Sequence, residues 1–416
     1  MKFNKWTLGL AAIGAVSLTS AARADEKPNY LQTSVATTTL SGYVDTSIEW
    51  DPGTGNAVVP GYAYNAGKQD GFNLNSVVIT LAKAEDETEW AAGYDVDLMF
   101  GPDNPLGTGV FATGGTPLRQ AYVTLRTPVG NGIDWKLGVF DTIIGYESTV
   151  DPSNPNYSRS YGYSIEPTSH TGFTGTYKVN DEVSFTAGLA NTSVSAVDAR
   201  ANPPKAESYK AFLADVSLTA PTNWGSISGS SLYIGFINGW NATADGVVAG
   251  STGAVQQNLY IGTTVNTPLS ALKVGASYDY VGVQKQSYVA AGGGTVAIPE
   301  AWANAVDLYA TYQVTEKMSL NSRAEYFWES KNSPSAPIVG TIGALEPSKV
   351  FALTETVQYD LWKNVLSRLE VRWDHQAGSL VGGGPNGAWG GNLNNPTVAP
   401  GKHNWYDVVA NIIYKF

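Results

Sequence analysis

Full charges recur at alternate positions of segments that are otherwise oily, and these are the residues with chemistry to do. Asp95 and Asp97 alternate with Tyr94, Val96 and Leu98. Arg323 and Glu325, then Arg368, Glu370 and Arg372, repeat the arrangement towards the other end. In an extended backbone, residues two apart point the same way. Such a row can line a wet surface or form ion pairs, but it is no catalytic constellation. The three histidines, His170, His375 and His403, are far apart and match no metal spacing such as H-E-x-x-H. Glu85-Asp86-Glu87 with Glu89 has the composition of a paired-carboxylate site but reads as a solvated turn. Gly292–Gly294 and Gly382–Gly384 lack the spacing of a phosphate loop. A hydrolytic site assembled from distant Ser, Asp and His residues would leave no spacing signal, and nothing points to one. No catalytic residue, cofactor or metal site is expected.

A second concentration of charge lies in the longest connector, Asp141–Ser169. Asp141, Glu147, Asp151 and Glu166 face the single Arg159. A loop of this length is usually functional or disordered. If it turns inward across a wide lumen, four acids against one base would set a negative field there, favouring cations by a few-fold. If it points outward, those charges are merely solvated. Arg119, Arg126 and Lys136 lie on or near the polar faces of the two segments before it. They would either oppose an acidic loop across the lumen or pair with neighbouring carboxylates along the wall; spacing does not separate the two.

The elements that position these charges are strands. Period-2 alternation is clearest in Glu89–Phe100 and in the last stretch, Asn404–Phe416, where Tyr406, Val408, Ala410, Ile412, Tyr414 and Phe416 share one face. Aromatic residues stand at both ends of that face, as they do at the two interfaces of a membrane-crossing strand. The spacing predicts about sixteen strands: near Thr38–Trp50, Phe72–Lys83, Glu89–Phe100, Leu118–Thr127, Ile133–Phe140, His170–Val179, Glu182–Asn191, Ser208–Thr219, Ile227–Asn238, Gln256–Asn266, Ala271–Val281, Ala301–Val314, Lys317–Glu329, Lys349–Asp360, Val365–Gln376 and Asn404–Phe416. The segment around Leu232–Ile237 is oily on both faces, and Glu355 interrupts an oily one. Connectors alternate between short ones, such as Asn180–Asp181 and Thr315–Glu316, and long ones rich in Gly, Pro, Asn and Ser. A soluble sandwich has no reason to gather its long loops at one end; a transmembrane barrel does. A dry core could not hold Asp95, Asp97, Arg119, Arg126, Lys136, Arg323, Glu325, Arg368, Glu370 and Arg372, whereas a wet lumen can. The fold class is therefore an all-β transmembrane antiparallel barrel, oily outside and charged inside. An open strand edge is intolerable in lipid, so Tyr414 and Phe416 mark a closing strand that pairs with the first.

Composition agrees. Gly is 45, Tyr 23, Trp 12 and Met 3, and no apolar run long enough for a transmembrane helix follows the N-terminus. Lys2 and Lys5, an apolar run Leu8–Leu18 and the small-residue site Ala22-Arg23-Ala24 read as a secretory leader cleaved after Ala24, leaving one barrel domain over 25–416. The formal charge of -11 falls to -14 when Lys2, Lys5 and Arg23 leave. An acidic chain is a poor nucleic-acid binder and suits cations.

LGVFDTIIGYE (Leu137–Glu147), NPNYSRSYGYSIEPTSHTGF (Asn154–Phe173) and LEVRWDH (Leu369–His375) resemble the signature segments of the OmpL-like β-barrel porin family. The resemblance implies a pore-forming protein of the bacterial outer membrane with no catalytic residues to carry over; it gives no role to Tyr157, Ser158 or Arg159. The expected function is passive diffusion of small hydrophilic solutes and ions, weakly cation-preferring, with outer-membrane lipid around the barrel and a homotrimer by analogy alone. Two alternatives stand beside it. One is a substrate-selective channel, for example for sugars, stacking on Tyr157, Tyr161 and Tyr163. The other is a surface adhesin or scaffold with an occluded lumen.

Overall fold

The computed structural model describes residues 38–416 except 54–55, 57–58, 61–67, 106–115, 196, 201–207, 241–253, 290–294, 331–347, 381–386, 393–394 and 396. The expected leader and its cleavage after Ala24 lie outside the described residues.

Eighteen strands follow in chain order: β1 (Thr39–Trp50), β2 (Gly71–Lys83), β3 (Ala92–Phe100), β4 (Leu118–Thr127), β5 (Ile133–Asp141), β6 (Ser169–Lys178), β7 (Val183–Ala190), β8 (Ala211–Thr219), β9 (Ser231–Trp240), β10 (Val255–Asn266), β11 (Leu272–Val283), β12 (Gln286–Val289), β13 (Thr295–Ile298), β14 (Ala301–Gln313), β15 (Met318–Glu329), β16 (Lys349–Trp362), β17 (Val365–Gln376) and β18 (Asn404–Lys415). Sixteen of them close into one antiparallel barrel, each paired with its neighbour in sequence and β1 with β18; β12 and β13 form a separate hairpin. That hairpin sits in a connector that sequence reads as plain loop, because two four-residue runs are too short to show a period.

Three predicted starts move inward by more than one residue. β3 begins at Ala92 rather than Glu89 because Trp90 takes a left-handed φ of 62° in the preceding turn. β9 begins at Ser231 because Gly225–Ile227 winds into a 3-10 turn. β8 begins at Ala211 rather than Ser208.

The closing seam is made by register. Val44 faces Tyr414 and Trp50 faces Val408. Phe416 exchanges both backbone hydrogen bonds with Gly42 at 3.0 Å, so the last residue of the chain completes the ladder. Leu40, Ile48, Trp50, Tyr406, Ile412, Tyr414 and Phe416 are exposed on the outer surface, whereas Asp45, Glu49, Asp407 and Asn411 are buried on the inner one. A soluble barrel has the opposite arrangement. Glu355 does point outward, where it accepts a hydrogen bond from Ser322 Oγ at 2.6 Å.

Candidate functional site

The connector between β5 and β6 turns into the barrel and crosses it. Its first limb is oily. Ile144 and Tyr146 pack with Leu213, Ile237, Tyr260 and Tyr309 on the inner wall. This explains why the β9 segment is oily on both faces: one face meets the barrel exterior and the other meets the loop. Gly235 and Gly275 leave room for this limb. A Cβ at Gly235 would strike Ile144, and one at Gly275 would strike Tyr146. The Tyr146 ring stacks on Tyr309 with centroids 4.0 Å apart.

The middle of the loop is polar and is gripped through its backbone. A 3-10 turn, Asp151–Ser153, leads to Asn154–Ser160 and then to a short helix, α1 (Tyr161–Ile165), capped by Ser160 Oγ accepting from Tyr163 N. The carboxylate of Glu370, on β17, accepts from Tyr157 N at 2.6 Å and Ser158 N at 2.9 Å. Glu325, on β15, accepts from Tyr161 N at 2.7 Å. Two arginines hold the carbonyls: Arg323 donates to Ser158 O at 2.7 Å, and Arg372 to Arg159 O at 2.7 Å. Arg368 donates to Asp151 O at 3.2 Å and to Asn154 O. Tyr161 donates its hydroxyl to Asp374 at 3.1 Å. Backbone groups carried inside a barrel need partners as much as those in a core. The alternating charges of β15 and β17 supply them, as charge-assisted hydrogen bonds.

Two of the segments that carry the family resemblance therefore meet in space. Glu370, Arg372 and Asp374 belong to LEVRWDH, and they hold Tyr157, Ser158, Arg159 and Tyr161 of the NPNYSRSYGYSIEP stretch. Sequence reading found both stretches and left the second without a role. No local pattern links residues more than two hundred positions apart.

The loop acids have specific partners. Both carboxylate oxygens of Asp141 accept from Arg119 Nη1, at 2.6 and 2.8 Å. Glu147 pairs with Arg323 at 2.7 Å and also accepts from Ser160 N. Asp151 pairs with Arg159 at 2.7 Å and accepts from Ser76 Oγ at 2.6 Å. The count of four acids against one base thus overstates the free charge of the loop, because two of the balancing arginines come from the wall. Glu166 differs. Burial, and then the Asp279 carboxylate beside it, push its carboxyl well above the ordinary range. Tyr157 and Tyr161 are buried, the latter stacked on Phe327 at 5.2 Å, so neither ring offers a free face.

The wall from β4 to β7 is arranged otherwise. An open cavity lies against it, lined by Glu85, Arg126, Asp134, Lys136, Thr176 and Lys178 among others, and reaches up to Asp141 and Ile143 at the start of the loop. Arg126 pairs with Asp134, and Arg119 also pairs with Asp97. Asp95 is half-buried beside them. Lys136 is held over the Tyr122 ring at 4.5 Å from its centroid. The bases ahead of the loop thus divide: Arg119 lies in wall ion pairs, Arg126 is paired at the cavity edge, and Lys136 lines the cavity.

The family model for "Putative beta-barrel porin-2, OmpL-like" matches residues 37–398. No curated protein sequence matches the chain. Among solved structures, the outer membrane channel DcaP of Acinetobacter baumannii is 13% identical with a TM-score of 0.59, over 92% of this chain and 99% of that one. The anion-selective porin from Comamonas acidovorans is 13% identical with a TM-score of 0.54, over 91% and 99%. A trimer form of OmpT, an outer membrane protein of Vibrio cholerae, is 12% identical with a TM-score of 0.52, over 91% and 99%.

Proposed function

From the premise that this chain belongs to the OmpL-like β-barrel porin family and is a porin-type channel of the outer membrane, we propose that it passes small hydrophilic solutes and ions by passive diffusion, with a weak preference for cations. The observation that carries the reading is the cavity beside the inward loop. The loop is held by the wall from β8 round to β2, and the cavity against β4 to β7 is lined by threonines and by charges of both signs. Such a lining replaces water for many polar solutes and selects sharply for none.

Cation preference rests on the balance of interior charge rather than on the loop alone. Among the described residues, fifteen buried carboxylates stand against seven buried Lys and Arg, so the field inside the barrel favours positive ions. The effect is a bias of a few-fold, because several of these acids are paired. A related fold does not set the sign, since one structural neighbour is titled anion-selective. Assembly as a homotrimer is part of the proposal, supported by the trimeric form of a neighbour. So is removal of residues 1–24 before insertion.

Reconstitution in planar bilayers tests the reading. The expected result is an open, ohmic channel whose reversal potential in a KCl gradient lies on the cation side. Insertion without current would overturn it in favour of a scaffold. Current blocked by millimolar sugar would replace it with a substrate-selective channel.

A further inference from the structure

The inner face of the closing seam holds three carboxylates that the loop and the cavity do not use. Glu49 lies near the end of β1, Asp51 just beyond it, and Asp407 near the start of β18. β1 and β18 pair with Glu49 facing Val409 and Trp50 facing Val408. One more step in that register sets Asp51 opposite Asp407. Like charges directly across an antiparallel pair repel. Here the repulsion is set in a buried place, because Glu49, Asp51 and Asp407 are 3%, 1% and 3% exposed.

Each residue offers an oxygen within 4.8 Å of the other two. Neither oxygen of Asp51, nor Oδ1 of Asp407, accepts a hydrogen bond from an N–H or hydroxyl group, and the two carboxyls lie close enough to share a proton. The nearby ammonium groups are engaged with other atoms. Lys402 Nζ donates to Asn56 Oδ1 at 2.7 Å and Pro52 O at 3.1 Å. Lys68 pairs with Asp103 and donates to Asn75 Oδ1 at 3.0 Å. A buried carboxylate without a partner costs several kcal/mol, on the order of the penalty for any unpaired buried ion. Three together need something positive between them.

We infer that Glu49, Asp51 and Asp407 form a site for a hard divalent cation, calcium in the first instance, that clamps the first strand to the last. Oxygen-only ligands suit calcium or magnesium rather than a softer metal. Three oxygens within 4.8 Å of one another are close enough to converge on one ion, with small side-chain shifts to reach calcium's ligand distance of about 2.3–2.6 Å. The position gives the ion a structural task. β1 and β18 are the chain ends that must be joined to close the sheet, and the clamp sits where β1 runs out into a long connector. The absence of metal-spaced histidines led sequence reading away from a metal site; carboxylates separated by more than 350 positions leave no local signal.

The test uses the full mature chain folded in detergent, stripped with EDTA and then titrated with CaCl2, with unfolding followed by heating. An ion that binds the folded state alone raises its stability by mass action, so the unfolding temperature should climb by several degrees and saturate. Equilibrium dialysis should find a tightly held calcium in the wild type that Asp51→Asn and Asp407→Asn each lose. Metal-free Asp51→Asn should unfold no lower than the metal-free wild type, since the change removes repulsion. The exposed Asp86→Asn should keep the calcium response. If one variant fails to fold, the other and the wild-type titration still decide. A wild type indifferent to calcium and magnesium would overturn the inference, as would a calcium response that survives in both seam variants. A melting temperature governed by pH alone would replace the ion with a shared proton.

Discussion

The two sides of the barrel interior carry similar residues and use them differently. On β15 and β17, Arg323, Glu325, Glu370 and Arg372 are at most 1% exposed, and they hold the inward loop by its backbone or through Glu147. On β4 to β7, Arg126, Asp134, Lys136 and Lys178 border a space open to solvent. Alternating charge therefore makes a latch on one wall and a lining on the other. The difference is made by the loop, which covers one side and leaves the other bare. A row of inward charges, taken alone, does not say which of these it is.

The comparison breaks most readily on the latched side. Arg323→Ala removes the ion-pair partner of buried Glu147, a loss of about 3–5 kcal/mol for a buried pair, and leaves Glu325 with Arg372 alone. The barrel has sixteen strands of its own and should stay closed while the loop comes loose. Arg159, now buried, should become a trypsin site in the folded protein, and single-channel conductance should rise. Lys136→Ala on the open side should leave trypsin resistance unchanged.

The oily limb should respond less. Gly235→Val places a side chain where Ile144 sits, and overpacking of this kind costs about 1–3 kcal/mol. The expected result is a partial version of the same phenotype, slower cleavage at Arg159 and a noisier channel. Wild-type behaviour would mean that the limb does not depend on its contact with the wall.

Glu166 gives a smaller effect with a defined sign. Its folded carboxyl binds a proton more readily than the unfolded one, so the stability it contributes is full below about pH 4, the ordinary carboxylate value. That contribution is lost as pH rises through the raised folded value. Loop protection against trypsin should fall as pH rises in the wild type, and Glu166→Gln should flatten the dependence. An unchanged pH profile in the variant would remove Glu166 from the account.

The smallest structural change should sharpen the open side. Lys136→Glu alters one half-buried group above Tyr122. Loss of the contact with the Tyr122 ring should cost on the order of 1 kcal/mol, while the reversal potential in a salt gradient shifts further to the cation side. An unmoved potential would mean that ions do not pass that wall.

Much of the fold was legible because lipid imposes a strict period. Tyr406 to Phe416 declared the outer face, Asp407 and Asn411 the inner one, and the alternation of short and long connectors gave the barrel its two ends. What failed locally had local causes, such as the left-handed Trp90 and the 3-10 turn at Gly225–Ile227. The site was less legible. Charge counting marked the loop as important but set its four acids against its own single base, because Arg119 and Arg323, which meet Asp141 and Glu147, stand on the wall. Tyr157, Ser158 and Arg159 were visible as a motif, yet what the wall grips is largely their backbone, which side-chain identity does not reveal.

The chain contains no cysteine, so introduced thiols report without background. Lys136→Cys on the open wall and Thr356→Cys beneath the loop should be compared in reconstituted channels exposed to a charged thiol reagent. The loop-and-cavity arrangement requires that Lys136→Cys be modified quickly with a fall in current, while Thr356→Cys stays unreacted at full conductance. Block through Thr356→Cys with an inert Lys136→Cys would put the water path on the side where the loop is held, contradicting the assignment of the two walls.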